Sequence, residues 1–95
     1  MGSAQSWTEL NDAGMRQYKQ GDYREAEKFF LLATKSAATG EARATSLSSL
    51  GYCQQALGDY PTAQQTFRQS IRLTNTLYPP LHIERMEALI NLANA

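Results

Sequence analysis

The strongest constraint in this chain is that it repeats itself: GMRQYKQGDYREAEKFF at residues 14–30 aligns with GYCQQALGDYPTAQQTF at 51–67, at a constant offset of 37. In that register Gly14 pairs with Gly51, Gly21 with Gly58, Asp22 with Asp59, Tyr23 with Tyr60, Ala26 with Ala63 and Phe30 with Phe67. A unit of this length is one supersecondary element, and its polar and apolar residues must be read as one repeat stacked on the next.

The matched positions spell helix, tight turn, helix. Gly21-Asp22 and Gly58-Asp59 interrupt the helical pattern; glycine closes one helix in a left-handed conformation and aspartate caps the next. Asp22 with Glu25, and Ser6 with Glu9, have the spacing of capping boxes, while Pro61 falls in a first turn where its missing amide hydrogen costs little. Gly14 and Gly51 sit in helix interiors, at about 1 kcal/mol relative to alanine, so their recurrence predicts close helix approach, with Ala26 and Ala63 on the opposite side. Phe30 and Phe67 share a face with those alanines and are expected to fill the gap between adjacent hairpins. The pattern predicts helices over 7–20, 23–38, 41–57, 60–77 and 83–94, with Pro79-Pro80 as the one conspicuous linker and no strand.

These residues resemble the tetratricopeptide repeat, whose first helix reads W-x2-L-G-x2-Y and whose turn and second helix read G-D-Y-x2-A-x3-F/Y. Here Leu10 and Leu47 stand at the tryptophan, Ala13 and Leu50 at the leucine, Gln17 and Gln54 at the tyrosine, and neither repeat ends in the usual proline, which lets the second helix run on. A third partial copy follows at a spacing of 42, with Leu92 and Ala93 aligned to Leu50 and Gly51. LYPPLHIERMEALINLA, residues 77–93, is similar to the junction of the longer repeats of kinesin light chains, with Ile83 in place of the proline usual after the histidine. The resemblance implies an all-α fold in which antiparallel helix-turn-helix repeats, about two and a half of them, stack as a right-handed α-solenoid. The chain divides accordingly into a flexible start of residues 1–5, a repeat at 6–39, a second at 40–78, and the first or capping helix of a third at 79–95.

The resemblance also implies a function: in the family, first helices line a concave groove that binds peptides of partner proteins. Projecting that face gives Thr8, Asn11, Asp12, Met15 and Tyr18 on the first helix and Thr45, Ser48, Ser49, Tyr52 and Gln55 on the third. Glu87, Ile90, Asn91 and Asn94 complete it on the fifth. The lining is mostly uncharged amides and hydroxyls, which suit hydrogen bonds to an extended backbone, with Met15 and Tyr52 for apolar contact. Members that clamp a terminal carboxylate use lysine, arginine and asparagine at positions matching Asn11, Met15, Ser49, Glu87 and Asn91; no basic residue stands at any of them here. Asn91 matches the family's recurrent asparagine that contacts ligand backbone.

Composition and motifs give no support to a catalytic or nucleic-acid-binding chain. Nine basic and nine acidic residues cancel and are scattered, so no field steers the molecule to nucleic acid, and no apolar run approaches the ~20 residues needed to span a bilayer. The start, MGSAQS, matches a loose myristoylation pattern without a following basic cluster, and Met-Gly-Ser is also a usual vector-derived leader; membrane attachment is expected only if Gly2 is acylated. One histidine, His82 in the third junction, and one cysteine, Cys53, read as a loop residue and a small packing residue; no phosphate loop or zinc spacing is present, so no cofactor, metal or turnover is expected. A lone thiol and no secretory signal fit the cytoplasm. The rival expectation is assembly: the chain ends after one helix of its third repeat, leaving the apolar stretch 89–93 to pair with another copy or with further repeats.

Overall fold

The computed structural model describes residues 6–77, and among them four helices and no strand are formed: α1 (Trp7–Lys19), α2 (Tyr23–Ser36), α3 (Gly40–Ala56) and α4 (Tyr60–Leu77). The predicted fifth helix and the Pro79-Pro80 linker lie outside the described residues. Each helix packs on its neighbour in sequence, α1 on α2, α2 on α3 and α3 on α4; α1 and α3 also touch, whereas α2 and α4 do not. This is the all-α repeat solenoid, with first helices on one side and second helices on the other.

The 37-residue period is visible in the backbone. Gly21 and Gly58 take φ of 81° and 85°, a region open to glycine without steric cost. Around them the same hydrogen bonds recur: Gly21 N–H donates to the Tyr18 carbonyl and Gly58 N–H to that of Gln55, both at 3.0 Å. Asp22 N–H donates to the Gln17 carbonyl and Asp59 N–H to that of Gln54, both at 2.9 Å. That pair of bonds is a Schellman closure, and it corrects one expectation. Asp22 caps α2 by accepting from the Glu25 amide at 3.4 Å, but its own amide is consumed by Gln17, so no reciprocal box forms, and the Glu25 carboxylate instead pairs with Lys28 at 3.0 Å. At Ser6 the full box is present: the hydroxyl accepts from Glu9 N–H at 3.1 Å and Glu9 Oε1 accepts from Ser6 N–H at 2.9 Å. The junction between repeats has no left-handed glycine; Ala37 leaves α2 extended, two residues before the predicted end, and the Thr39 hydroxyl caps α3 by accepting from Ala42 N–H at 3.1 Å.

The interior glycines are spaces for phenylalanine rings. A Cβ on Gly14 would lie 2.8 Å from Phe30 Cε1, and one on Gly51 would lie 2.8 Å from Phe67 Cε1, so the predicted close approach is ring against glycine rather than alanine against glycine. Phe30 also joins Ala26, Leu50 and Cys53 in one buried cluster, which places it at the junction of α1, α2 and α3 as expected of a residue between hairpins. Where the family pattern has tyrosine, Gln54 is buried and its Oε1 accepts from the Thr66 hydroxyl at 2.6 Å, a polar tie between α3 and α4. Trp7 Nε1 donates to the buried Ser46 hydroxyl, tying α1 to α3.

Candidate functional site

On α1, Met15 and Tyr18 are one turn apart; on α3, Ser49 and Tyr52 are likewise one turn apart, and the register of the two helices brings all four around one cavity of about 260 Å³ that Phe30 of α2 closes from below. Met15 and Tyr52 remain 40% and 37% exposed, which leaves apolar surface available at the rim. Both tyrosines are braced from behind: Tyr18 meets Tyr23 edge-on at 5.1 Å between ring centroids, and Tyr52 meets Phe67 edge-on at 5.2 Å. Partial burial raises the Tyr52 phenol above its ordinary pKa of 10.0; burial, followed by the neighbouring Tyr23, Cys53 and Tyr52, does the same for Tyr18. The two hydroxyls are therefore neutral donors at physiological pH.

Asn11, one turn before Met15 on the same stripe, is half-buried, and its side-chain carbonyl oxygen is buried without a hydrogen-bond partner. An unmet buried acceptor costs about 1–3 kcal/mol. Thr8, Asp12 and Thr45 are exposed, with the Thr45 hydroxyl turned back onto the Glu41 carbonyl at 3.0 Å, and Gln55 is half-buried. Ser48 is placed differently from its projection: its hydroxyl meets that of Ser70 on α4 at 2.8 Å, and Ser70 in turn donates to the Ala44 carbonyl at 3.2 Å, so Ser48 serves the α3–α4 seam. Glu87, Ile90, Asn91, Asn94 and His82 lie outside the described residues. Of the positions that correspond by resemblance to the tetratricopeptide carboxylate clamp, Asn11, Met15 and Ser49 are described, and none carries a cation.

Cys53 points into the core. It is wholly buried beside Phe30 and Leu50, and burial, with a smaller effect from Glu27, pushes the thiol up from 9.0 to about 12. The thiolate is the nucleophile, so this sulfur is inert at neutral pH. In the native protein at pH 8, iodoacetamide is expected to label Cys53 roughly a hundredfold or more slowly than in denaturant. Because folding raises this pKa, the thiol's contribution to stability is whole below about pH 9 and is lost as the pH climbs from there towards about 12. Urea midpoints measured across that range check the direction. Among the described residues no group of three or more His, Cys, Asp or Glu is placed to hold a metal, and no helix is long and apolar enough to cross a membrane.

Residues 14–34, from the glycine that receives Phe30 through the Gly21 turn and along α2, match the family model described as tetratricopeptide repeat. Over these residues the chain carries a tetratricopeptide repeat. The second hairpin repeats its turn bonds and its glycine–phenylalanine contact 37 residues on. No curated protein and no solved structure matches the chain. Tetratricopeptide repeats generally mediate protein–protein interaction and are typically non-catalytic. The kinesin-light-chain-like junction falls outside the described residues.

Proposed function

We propose that this tetratricopeptide-repeat chain is a non-catalytic scaffold that binds an extended peptide or helix of a partner protein along the α1–α3 face. The observation that carries this reading is the uncharged cavity between Met15, Tyr18, Ser49 and Tyr52. The cavity suits one apolar side chain, and the neutral Tyr18 and Tyr52 hydroxyls suit hydrogen bonds to the backbone of the same ligand. With no cation on the described part of this face at the clamp positions, a terminal carboxylate is disfavoured and an internal segment is favoured. Residues 79–95 extend the groove in this reading as the first helix of a third repeat, bringing Asn91 and its neighbours to the same ligand, and the cytoplasm is the compartment.

The test is partner capture followed by titration with groove variants. Tyr52→Ala and Met15→Glu are each expected to weaken a captured partner about thirtyfold or more, the effect of losing a central anchor, and Asn91→Ala to weaken it further, while helicity is unchanged. If these variants bind normally and polar replacements at Leu89 or Leu92 dissolve an oligomer, self-association is the function and the groove reading fails.

A further inference from the structure

A second cavity, of about 310 Å³, opens on the α3–α4 seam. Arg43 and Leu47, one turn apart on α3, face Gln69, Arg72, Leu73 and Thr76 on the last turns of α4. Leu47 is two residues before Ser49 on an α-helix, which puts it about 160° around the helix from the groove. This cavity is therefore on the other side of α3 from the Met15–Tyr52 cavity.

The first repeat supplies an internal control. Leu47 corresponds to Leu10, and both are buried, so that position belongs to the hairpin core. Arg43 and Leu73 correspond to Ser6 and Ser36, both exposed, so a hairpin of this type closes without the arginine or the second leucine. In the second repeat these additions, with Arg72, produce an apolar floor between two exposed arginines, and no carboxylate lines the cavity. Fold requirements do not explain the combination; charge complementarity does. Exposed guanidinium groups beside a desolvated floor attract carboxylates, and an aliphatic side chain between them fills the hollow.

We infer that this cavity is a second docking surface, on the outer side of the hairpin, for an acidic partner segment that presents one large aliphatic side chain flanked by carboxylates. The segment's leucine-sized side chain rests on Leu47 and Leu73, and its carboxylates meet Arg43 and Arg72. It works independently of the groove, so one copy of the chain can join two protein segments.

Nuclear magnetic resonance titration of the ¹⁵N-labelled full chain tests it, with the end-blocked peptide Gly-Asp-Glu-Leu-Asp-Asp-Gly as probe. The amides of Arg43, Leu47, Arg72 and Leu73 are expected to shift, and the shifts to shrink as salt is raised from about 0.05 M to about 0.5 M. A peptide with lysine for each acid, or alanine for the leucine, is expected to bind about tenfold more weakly or not at all. The double variant R43E/R72E, both positions being exposed, is expected to retain its helicity and lose about tenfold or more in affinity. L73S, which installs the first repeat's residue type, is expected to lose several-fold, and Tyr52→Ala to bind this peptide as the parent does. The proposal is overturned if the acidic peptide moves no resonance, if the lysine peptide binds equally well, or if only Met15, Tyr18 and Tyr52 respond, the last of which leaves the groove reading standing. It is equally overturned if the arginines drive sedimentation with phosphatidylserine vesicles while the peptide is inert, because the surface then faces a membrane.

Discussion

Phe30→Ala is expected to cost about 3–5 kcal/mol, the range for removing a fully buried aromatic ring without collapse of the space it leaves. The ring is 0% exposed and sits against Gly14 of α1 and beside Leu50 and Cys53 of α3. The cavity cannot collapse cheaply, because three helices border it and each is held by its own turn or cap. A domain of this length has roughly 5–14 kcal/mol to lose, so the variant forfeits a large share of its stability. Thermal melting is expected to fall by about 12–40 °C, and urea unfolding to show a lower midpoint. Phe67→Ala removes the same group from the second hairpin, where Gly51 and Tyr52 are the contacts the ring is seen to make. If Phe30→Ala costs less than about 1 kcal/mol, the two hairpins do not share a core through this residue. The same variant also removes the base of the Met15–Tyr52 cavity, so groove binding is to be measured at a temperature where helicity is intact.

How far the residues alone reveal this arrangement differs from feature to feature. Gly21-Asp22 and Gly58-Asp59 locate both turns, because a left-handed closure and an N-cap each demand a short list of residue types, and the demand is local. The failed box at Asp22 shows the limit of local rules: spacing to Glu25 is right, but the amide it needs is claimed by the helix before. At Ser6 the amide donates to Glu9 Oε1, and the same spacing forms the box. On the proposed binding face, helical phase alone groups Met15 with Tyr18 and Ser49 with Tyr52, and the 37-residue register brings the two pairs together. Ser48 lies on the flank of that face, where phase cannot tell groove from seam; its assignment needs Ser70, on a different helix. The Trp7–Ser46 tie and the Arg43–Arg72 cavity were illegible for the same reason, since each joins residues whose proximity depends on interhelical register rather than on spacing within one helix.

Function is legible only to the depth of shape. The repeat fixes a stack with an inner and an outer side, and side chains at a few exposed positions then decide what each side accepts. The face near α1 and α3 offers neutral hydroxyls and a thioether, whereas the seam of α3 and α4 offers guanidinium groups over leucine. These are different chemistries on one helix, and under the two proposals they separate ligands by charge.

Gly51→Val is the second substitution with a large expected effect, and its sign is a contest between two terms. Removing glycine from a helix interior favours folding by several tenths of a kcal/mol for valine and by about 1 kcal/mol for alanine. Against this, the added Cβ would lie 2.8 Å from Phe67 Cε1 and 2.9 Å from Phe67 Cζ. The ring has little room to retreat: Phe67 is 2% exposed and Tyr52 stands edge-on to it. Overpacking of this kind costs about 1–3 kcal/mol, and valine's two further carbons place it at or above the top of that range. A net loss of about 2–3 kcal/mol is expected for Gly51→Val, and a smaller loss for Gly51→Ala, whose helix propensity offsets part of the clash. A double-mutant cycle isolates the cause. Phe67→Leu alone leaves a void, but Gly51→Ala with Phe67→Leu places the new methyl where the ring was, so the pair is expected to be more stable than the sum of the singles by about 0.5–3 kcal/mol. Additive losses would mean that Gly51 is required for some reason other than the ring it receives.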